Sequence, residues 1–243
     1  MNETLRELTN RKSVRKYEER EIGAAEKQAI LNAAINAPSA GCQQLYSIID
    51  VTDPALKEKL SETCDHQPFI AKAKMVLIFL ADCQIWYEGF ADTNCGPRSP
   101  GAGDLLLAIS AAVIAAQNAV TAAESLGIGS CYIGDILENA EEHRVLLGLP
   151  EFVVPAAMVV FGYPTEDQKA RKKPNRADLD LVVHENRYRR FSKEDRARRL
   201  SANRGDVPYE SYMQAFCKRK YNSDFSREMT RSCEVYLGSF GMQ

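Results

Sequence analysis

A short basic segment near the beginning of the sequence carries side chains suited to hold a phosphate group. It contains Arg11, Lys12, Ser13 and Arg15 within five residues. Guanidinium, ammonium and hydroxyl groups donate strong hydrogen bonds to phosphate oxygens, and arginine can do so with two parallel donors. A solvated basic turn has the same composition, so this cluster alone leaves both interpretations open.

A second basic cluster lies far along the sequence, at residues 172–176. It contains Lys172, Lys173 and Arg176. A run of charges usually marks a solvated face of a protein. The alternative is that this run makes a second contact to the anion that the first cluster would hold.

Two further segments are rich in small residues. Residues 38–44 include Gly41, which can adopt a positive φ, and they fit either an ordinary turn or a close approach of the backbone to a flat ligand. Residues 127–135 contain three glycines without the G-x-G-x-x-G spacing of a dinucleotide fingerprint. Close packing at a strand end and a ligand ring lying against the backbone account for these glycines equally well.

The segments between these candidates have apolar patterns that predict both helices and strands. Residues 21–37 repeat apolar side chains at helical spacing, and Pro38 ends this helix. Residues 104–126 are rich in alanine and predict a buried central helix, while residues 83–103 are interrupted by glycines and prolines and predict a loop. Runs rich in valine, isoleucine and phenylalanine predict strands at residues 45–52, 74–81 and 153–163.

The composition excludes several classes of partner. A net charge of −2 and a pI near 6.0 give no reason to expect nucleic acid or an anionic membrane surface. Polar residues interrupt the alanine-rich segment before it reaches the roughly 20 apolar residues that cross a bilayer. Residues 1–20 are charged throughout and predict no signal peptide, which favours the cytoplasm. The seven scattered cysteines are typical of reduced thiols, with a metal site or redox pair as the minor alternative.

The end of the sequence differs from the rest in charge and in aromatic content. Residues 189–243 carry 12 Lys/Arg against 7 Asp/Glu, whereas the rest of the chain is acidic. Seven aromatic residues between positions 209 and 240 are too many for a solvated disordered segment. We therefore expect this tail to pack on another protein surface, such as a second subunit.

Taken in order, these pieces resemble the FMN-dependent nitroreductase family, in particular the branch with a long C-terminal extension that includes oxygen-insensitive nitroreductases and flavin reductases. The resemblance rests on four motifs, which are Arg11-x-Ser13-Val14-Arg15, Pro38-Ser39 with Gln44, Gly129-x-x-Tyr132-Ile133-Gly134, and the Lys-Pro-x-Arg run that leads into Val183-His184-Glu185-Asn186. It implies an α+β fold with a central, mostly antiparallel sheet flanked by helices and built as an interlocked homodimer. We expect residues 1–188 to form the FMN-binding domain and residues 189–243 to form a C-terminal extension that packs on the dimer.

The resemblance also implies which residues hold FMN. Those at its phosphate and ribityl chain would be Arg11, Lys12, Ser13, Arg15 and Arg176, with Ser39 and Gln67 at the ribityl chain or the ring. Those along the isoalloxazine would be Tyr132, Ile133, Gly134 and Asp135. Lys173 or Lys172 would approach the pyrimidine end of the flavin ring. The choice between these two lysines stays open because this chain has one residue more than the family's usual Lys-Pro-Arg.

The function that the resemblance implies is that of an NAD(P)H-dependent oxidoreductase. Hydride would pass in a ping-pong reaction from NADPH or NADH to the flavin, and then to a small electron-poor aromatic acceptor such as a nitroaromatic, a quinone or a free flavin. The cofactor carries this chemistry, so no side chain is assigned as a catalytic nucleophile or acid. Basic residues of the tail, such as Arg204, Lys218 or Arg219, are expected to attract the additional phosphate of NADPH. The alternatives are dehalogenation or ene-reduction on the same scaffold, and flavin binding without turnover.

Overall fold

An antiparallel sheet of four strands organises the larger part of the chain. The structure is a computed structural model, and it describes residues 2–241. The strands are β1 (Tyr46–Asp50), β2 (Met75–Asp82), β3 (Gly129–Ile133) and β4 (Val153–Gly162), and they lie in the order β1-β2-β4-β3 with every neighbouring pair antiparallel. The predicted α+β class with a mostly antiparallel sheet is confirmed.

Ten α-helices lie in the described part of the chain. They are α1 (Glu3–Asn10), α2 (Ala24–Ile35), α3 (Pro54–Thr63), α4 (Gln84–Asp92), α5 (Ala102–Ser125), α6 (Ala140–Leu146), α7 (Glu166–Ala170), α8 (Lys193–Leu200), α9 (Tyr209–Lys220) and α10 (Asp224–Gly238). Short 3-10 turns lie at Ala40–Cys42, Gly134–Leu137 and Leu179–Leu181.

Both faces of the sheet are covered, so its central strands are buried on both sides. Successive side chains of a strand point to opposite faces. In β2, Leu77 and Phe79 pack with the alanines of α5 on one face. Val76 and Ile78 pack on the other face, where Leu60 of α3 contributes to the core. This double burial explains why β2 consists almost entirely of apolar residues.

The central helix α5 uses small side chains to lie close against the sheet. Its buried residues are mainly alanines at spacings of three and four, and these form one face of the helix. The helix ends at Ser125, and Gly127, two residues later with a φ of +73°, closes its last turn in the left-handed conformation that glycine tolerates. Among the described residues, α5 is also the helix whose length and composition would allow it to cross a membrane, yet nine of its residues are buried within the fold.

The chain divides into two compact units. The first contains the residues up to Arg171 together with those from Glu228 onward, and the second contains Lys172–Arg227. The first unit holds the whole sheet, and the second holds α8 and α9. The domain boundary predicted from the sequence lies after residue 188, within the second unit.

Two elements differ from the sequence expectations. Residues 129–133 form β3, a strand that was not among the three predicted from apolar patterning. The segment 83–103 was predicted as a loop but contains α4. This helix starts because the Asp82 carboxylate accepts the N–H groups of Gln84 and Ile85 at 3.1 and 3.2 Å, which satisfies two donors of its first turn.

Candidate functional site

The N-terminal strap, which we define as residues 11–18, runs against β3. The Val14 N–H donates to the Ser130 carbonyl at 2.9 Å. A Cβ atom on Gly129 would lie 2.5 Å from the Val14 side chain, which is closer than real Cβ contacts come. Glycine is therefore needed at this position because the strap approaches the strand so closely. Close packing at a strand end thus explains this glycine of the 127–135 segment.

Arg11 offers donors that no described residue uses. Its Nε and Nη2 atoms are buried and have no hydrogen-bond partner there, and the buried Ser130 hydroxyl also lacks one. Burial raises the pKa of the neighbouring Cys131 thiol, while Arg15, Ser13 and Arg11 all act to lower it. These three predicted phosphate ligands therefore converge on one place. Buried donors without partners are costly, and an anion such as a phosphate monoester satisfies them.

Lys12, in contrast, already has partners within the protein. Its ammonium donates to the backbone carbonyls of Lys169 and Arg171, each at 2.6 Å, where the last turn of α7 leaves carbonyls without intrahelical partners. The Arg15 N–H donates to the Gln168 side chain at 3.0 Å. The end of α7 therefore holds the strap in place, and we name this set of contacts the α7 clasp.

Two more contacts complete the α7 clasp. Lys16 and Asp167 form a salt bridge at 2.8 Å, and Arg171 donates to the Ser13 carbonyl at 3.2 Å. Sequence reasoning missed Gln168 and Arg171, because nothing in residues 164–171 shows which side chains turn towards the strap. The sequence offers no signal for either residue beyond the basic character of residues 169–173.

The loop at residues 38–44 has an unusual backbone. Gly41, Cys42 and Gln44 all have positive φ values, between 48° and 57°. The Ser39 hydroxyl oxygen accepts the Gln44 N–H at 3.0 Å, which closes the loop on itself. A non-glycine residue pays a conformational cost in this region, so the loop is more constrained than an ordinary helix-to-strand turn.

The predicted ring-binding segment follows β3 directly. Tyr132 is half-buried and its hydroxyl lies 3.4 Å from the Gln117 side chain of α5, and burial raises the pKa of Tyr132 to about 12. Ile133 is buried, Gly134 is exposed, and a Cβ on Gly134 would meet nothing within 4 Å. Asp135 is half-buried. The backbone at Gly134 is thus open to a ligand.

Gln67, the remaining predicted ligand of the first unit, lies after α3. Its side-chain amide donates to the Cys64 carbonyl at 2.9 Å, and its own carbonyl accepts the Ser61 hydroxyl at 3.0 Å. The residue is half-buried. These contacts fix the segment that carries Gln67.

A buried carboxyl group follows the ring-binding segment. Glu138 is 5% exposed. Burial raises its pKa to about 7, and the charges of Asp135, Asp65 and Glu228 act in the same direction. No pattern in the sequence predicts a carboxyl group with a shifted pKa at this position.

The second basic cluster lies in the second unit. Asn175 forms paired hydrogen bonds with Asn203, at 2.8 and 3.1 Å, which fix the backbone beside Arg176. Arg176 and Lys172 are exposed, and Lys173 is half-buried. Within residues 2–241, Arg176 donates to the carbonyls of Pro174 and Asn175 in its own turn, at 3.3 and 3.4 Å.

Comparison with known proteins supplies relatives for the whole chain. The family model of the nitroreductase family matches residues 8–163. An oxygen-insensitive NADPH nitroreductase of Salmonella typhimurium is 36% identical over 188 residues, which are 77% of this chain and 75% of that protein. An FMN reductase (NAD(P)H) of Bacillus subtilis is 30% identical over 239 residues, 97% of this chain and 91% of that protein. The solved NADPH:FMN oxidoreductase of Vibrio harveyi in complex with NAD⁺ is 28% identical, with a TM-score of 0.77 over 99% of this chain and 98% of that one.

Proposed function

The chain belongs to the nitroreductase family, and on that premise we propose that it works as a homodimer that reduces a small electron-poor aromatic acceptor. It is an NAD(P)H-dependent flavin oxidoreductase with FMN as its cofactor. When bound, FMN supplies hydride transfer between nicotinamide and acceptor. The observation that carries our site assignment is the Arg11 side chain, whose buried Nε and Nη2 atoms have no partner in the described residues.

We assign the phosphate end of FMN to Arg11, Ser13 and Arg15. A phosphate monoester carries close to two negative charges, so the buried Arg11 donors gain strong charge-assisted hydrogen bonds. Lys12 would then act mainly by holding the strap, since its ammonium is engaged by the carbonyls of the α7 clasp. Arg176, an exposed cation of the second unit, is proposed as a further phosphate ligand.

We assign the ring to the segment Tyr132, Ile133, Gly134 and Asp135, with Ser39 and Gln67 at the ribityl chain or ring edge. The open backbone at Gly134 supports this assignment, because a flat ring can approach a position that has no Cβ atom. Lys173 or Lys172 is proposed to supply positive charge at the pyrimidine end. The chain's own contribution is thus to bind and orient the cofactor and to bring donor and acceptor into the same stacking position.

The homodimer is supported by the outer face of α5. This face carries four exposed aliphatic side chains, Leu106, Leu107, Val113 and Ile114, which are 39–65% exposed. A contiguous apolar strip along a helix of 24 residues is typical of a surface that a partner covers.

We further propose that residues 189–243 pack on this dimer. Basic residues among them are proposed to favour NADPH over NADH, and the enzyme is proposed to work in the cytoplasm.

The test of this function begins with the purified yellow protein. Mass spectrometry should identify bound FMN, and NADPH or NADH under argon should bleach the visible flavin absorbance. Adding a nitroaromatic, a quinone or free flavin should restore the colour at rates that rank the acceptors. A colourless protein that takes up no FMN, or a yellow one that neither nucleotide bleaches, would overturn the proposal.

The site assignment is tested by Arg11→Met, which keeps an unbranched apolar stem and removes the guanidinium group with its charge. We expect FMN to bind roughly ten- to a hundredfold more weakly, because hydrogen bonds to a charged group contribute about 1.5–3 kcal/mol. Flavin fluorescence quenching on binding measures the dissociation constant. An Arg11→Met variant with the wild-type dissociation constant would remove Arg11 from the phosphate site.

A further inference from the structure

A fully buried histidine lies behind the ring-binding segment. His143 of α6 has no exposed surface. Its Nδ1 atom lies 3.0 Å from the carbonyl oxygen of Ile136, in the 3-10 turn Gly134–Leu137 that contains the last two residues assigned to the flavin ring. Its Nε2 atom lies 2.8 Å from the Thr63 hydroxyl, at the end of α3. Both nitrogens of the imidazole are therefore used, and each contacts a different segment.

The two contacts fix the tautomer of this imidazole. Burial lowers the pKa of His143, so the ring is neutral at physiological pH and carries one N–H. The Ile136 carbonyl oxygen can only accept, so this proton lies on Nδ1. Nε2 then accepts the proton of the Thr63 hydroxyl, for which it is a nearer acceptor at 2.8 Å than the Lys59 carbonyl at 3.1 Å. The imidazole thus donates to one segment and accepts from the other.

The end of α3 leads directly to Gln67, which we assign to the ribityl chain or the ring edge. The Gln67 N–H donates to the Ser61 carbonyl at 2.9 Å, and the Gln67 side-chain amide donates to the Cys64 carbonyl at the same distance. These bonds tie Gln67 to the last turn of α3, which ends at Thr63. A displacement of Thr63 therefore displaces Gln67 as well.

Asn139 adds a second link to the end of α3. Its side-chain amide donates to the Thr63 carbonyl at 2.8 Å, and its own carbonyl accepts the His143 N–H at 2.9 Å. Asn139 has a φ of +51°, a conformation that costs free energy for a non-glycine residue and persists when surrounding contacts hold it. The 3-10 turn, the start of α6 and the end of α3 are thus joined by hydrogen bonds that meet at His143.

From this geometry we propose that His143 is a positioning residue for FMN, which sets the distance between Gln67 and the segment Tyr132–Asp135. The inference rests on the proposed function, because both segments are assigned to the flavin there. His143 acts through these segments and not by touching the ligand. With the imidazole in place, the two segments are already arranged for the ring, so binding costs less ordering free energy.

The experiment compares two ligands on the flavin-free protein, by flavin fluorescence quenching. FMN has a ring and a phosphate, and riboflavin has the same ring without the phosphate. His143→Leu removes both hydrogen bonds and keeps a side chain of similar size. We expect it to weaken FMN and riboflavin by the same factor, about five- to tenfold, as the loss of one or two neutral hydrogen bonds implies. Arg11→Met should weaken FMN alone, because Arg11 is assigned to the phosphate.

The visible absorption spectrum of bound FMN gives a second readout, which reports on the surroundings of the ring. In His143→Leu, saturated with FMN, the absorbance maxima should move towards those of free FMN. In Arg11→Met they should stay at the wild-type positions. A residue that only stabilised the fold would leave the spectrum of the bound flavin unchanged.

Two milder variants keep the test decisive if His143→Leu folds poorly. The amide nitrogen of His143→Asn lies close to the position of Nδ1, so this variant should restore the bond to the Ile136 carbonyl and recover most of the lost affinity. Thr63→Val removes one hydroxyl group at nearly constant shape. It should weaken both flavins about threefold, because one of the two links remains.

Ser232→Ala is the matched control. Ser232 is also fully buried, and its hydroxyl accepts the Ala140 N–H at 3.0 Å and donates to Glu228 at 2.7 Å. These bonds join α6 to α10 and involve neither Thr63 nor the 3-10 turn. Ser232→Ala should therefore lower the free energy of unfolding and leave both dissociation constants and the flavin spectrum as in wild type.

Four results would overturn the positioning role. Wild-type dissociation constants and spectrum in His143→Leu show that the imidazole only stabilises the fold. A loss of FMN affinity with riboflavin unchanged places the effect at the phosphate. An equal loss in Ser232→Ala shows general destabilisation, and a His143→Asn variant that binds no better than His143→Leu excludes the bond to Ile136. Each leaves the reductase function standing if NADPH still bleaches the wild-type flavin, so the two proposals can fail separately.

Discussion

Replacing Glu138 by glutamine should stabilise the protein above neutral pH and leave its stability near pH 5 little changed. Glu138 is almost completely buried, and Asp135, Asp65 and Glu228 add negative charge around it. Burial and these charges raise its pKa from the ordinary 4.5 to about 7. A carboxyl group with a raised pKa in the folded state favours folding while it is protonated and opposes folding once it ionises.

The size of the effect follows from the shift. A difference between 4.5 and about 7 in the pKa corresponds to roughly 3 kcal/mol once the side chain is fully ionised. The contribution of Glu138 is fully present below pH 4.5 and is lost as the pH rises through 7. Glutamine has a similar shape and no charge to bury. The Glu138→Gln variant should therefore gain about 1–3 kcal/mol over wild type at pH 8 and much less at pH 5.

Urea unfolding at pH 5 and pH 8, at one protein concentration, measures this difference. Glu151→Gln is the matched control, because Glu151 is exposed. Its difference from wild type in the free energy of unfolding should be the same at both pH values. Burial also lowers the pKa of His143, which costs stability as the pH falls below 6.5, but this contribution is common to wild type and variant and cancels. A stability gain of equal size at both pH values, or a loss at pH 8, would refute the argument that burial penalises the Glu138 charge.

Two further predictions concern the strap. Gly129→Ala should lower the free energy of unfolding by about 1–3 kcal/mol, because the new Cβ atom would overlap the Val14 side chain. Adding Val14→Ala to the same chain should restore part of this loss, as measured by urea unfolding. Lys12→Met should lower the stability of the FMN-free protein by about 1–3 kcal/mol, since it removes two hydrogen bonds to carbonyls of the α7 clasp. Arg11→Met is its control in thermal unfolding and should leave the FMN-free protein at least as stable as wild type, because the buried Arg11 Nε and Nη2 atoms have no partner to lose and are costly to bury.

The sequence predicted the fold where apolar patterning is strong. Three strands were expected from runs of valine, isoleucine and phenylalanine, and these runs match β1, β2 and β4 to within two residues at each end. The pattern is strong because β2 and β4 are buried and β1 is partly buried. The fourth strand, β3, was missed because its sequence begins with glycine and serine. That composition is a consequence of the strap, which packs so closely on Gly129 that no side chain fits. A contact between distant segments therefore overrode the local signal.

The sequence predicted which residue types form the site, but it predicted the role of each residue less well. Arginine, lysine and serine in one short segment indicate anion binding, but composition does not reveal which of them already has a partner. Gln168 and Arg171 were missed for the same reason, since their role arises only when α7 meets the strap. The Glu138 carboxyl is a further example, because its raised pKa depends on burial that no neighbouring residue in the sequence indicates.

The partners of each cation separate the residues that build the site from those that bind the ligand. Lys12 and Lys16 belong to one basic segment with Arg11, yet both are engaged by groups of the same chain, in α7 or directly after it. Arg11 is the member whose buried donors face no protein acceptor in the described residues, and burying them without a ligand costs free energy. Such an arrangement is favourable overall when the free energy gained by binding an anion exceeds that cost. The unsatisfied Arg11 donors, more than the number of positive charges, are therefore the physical reason to assign the phosphate end of FMN to the strap.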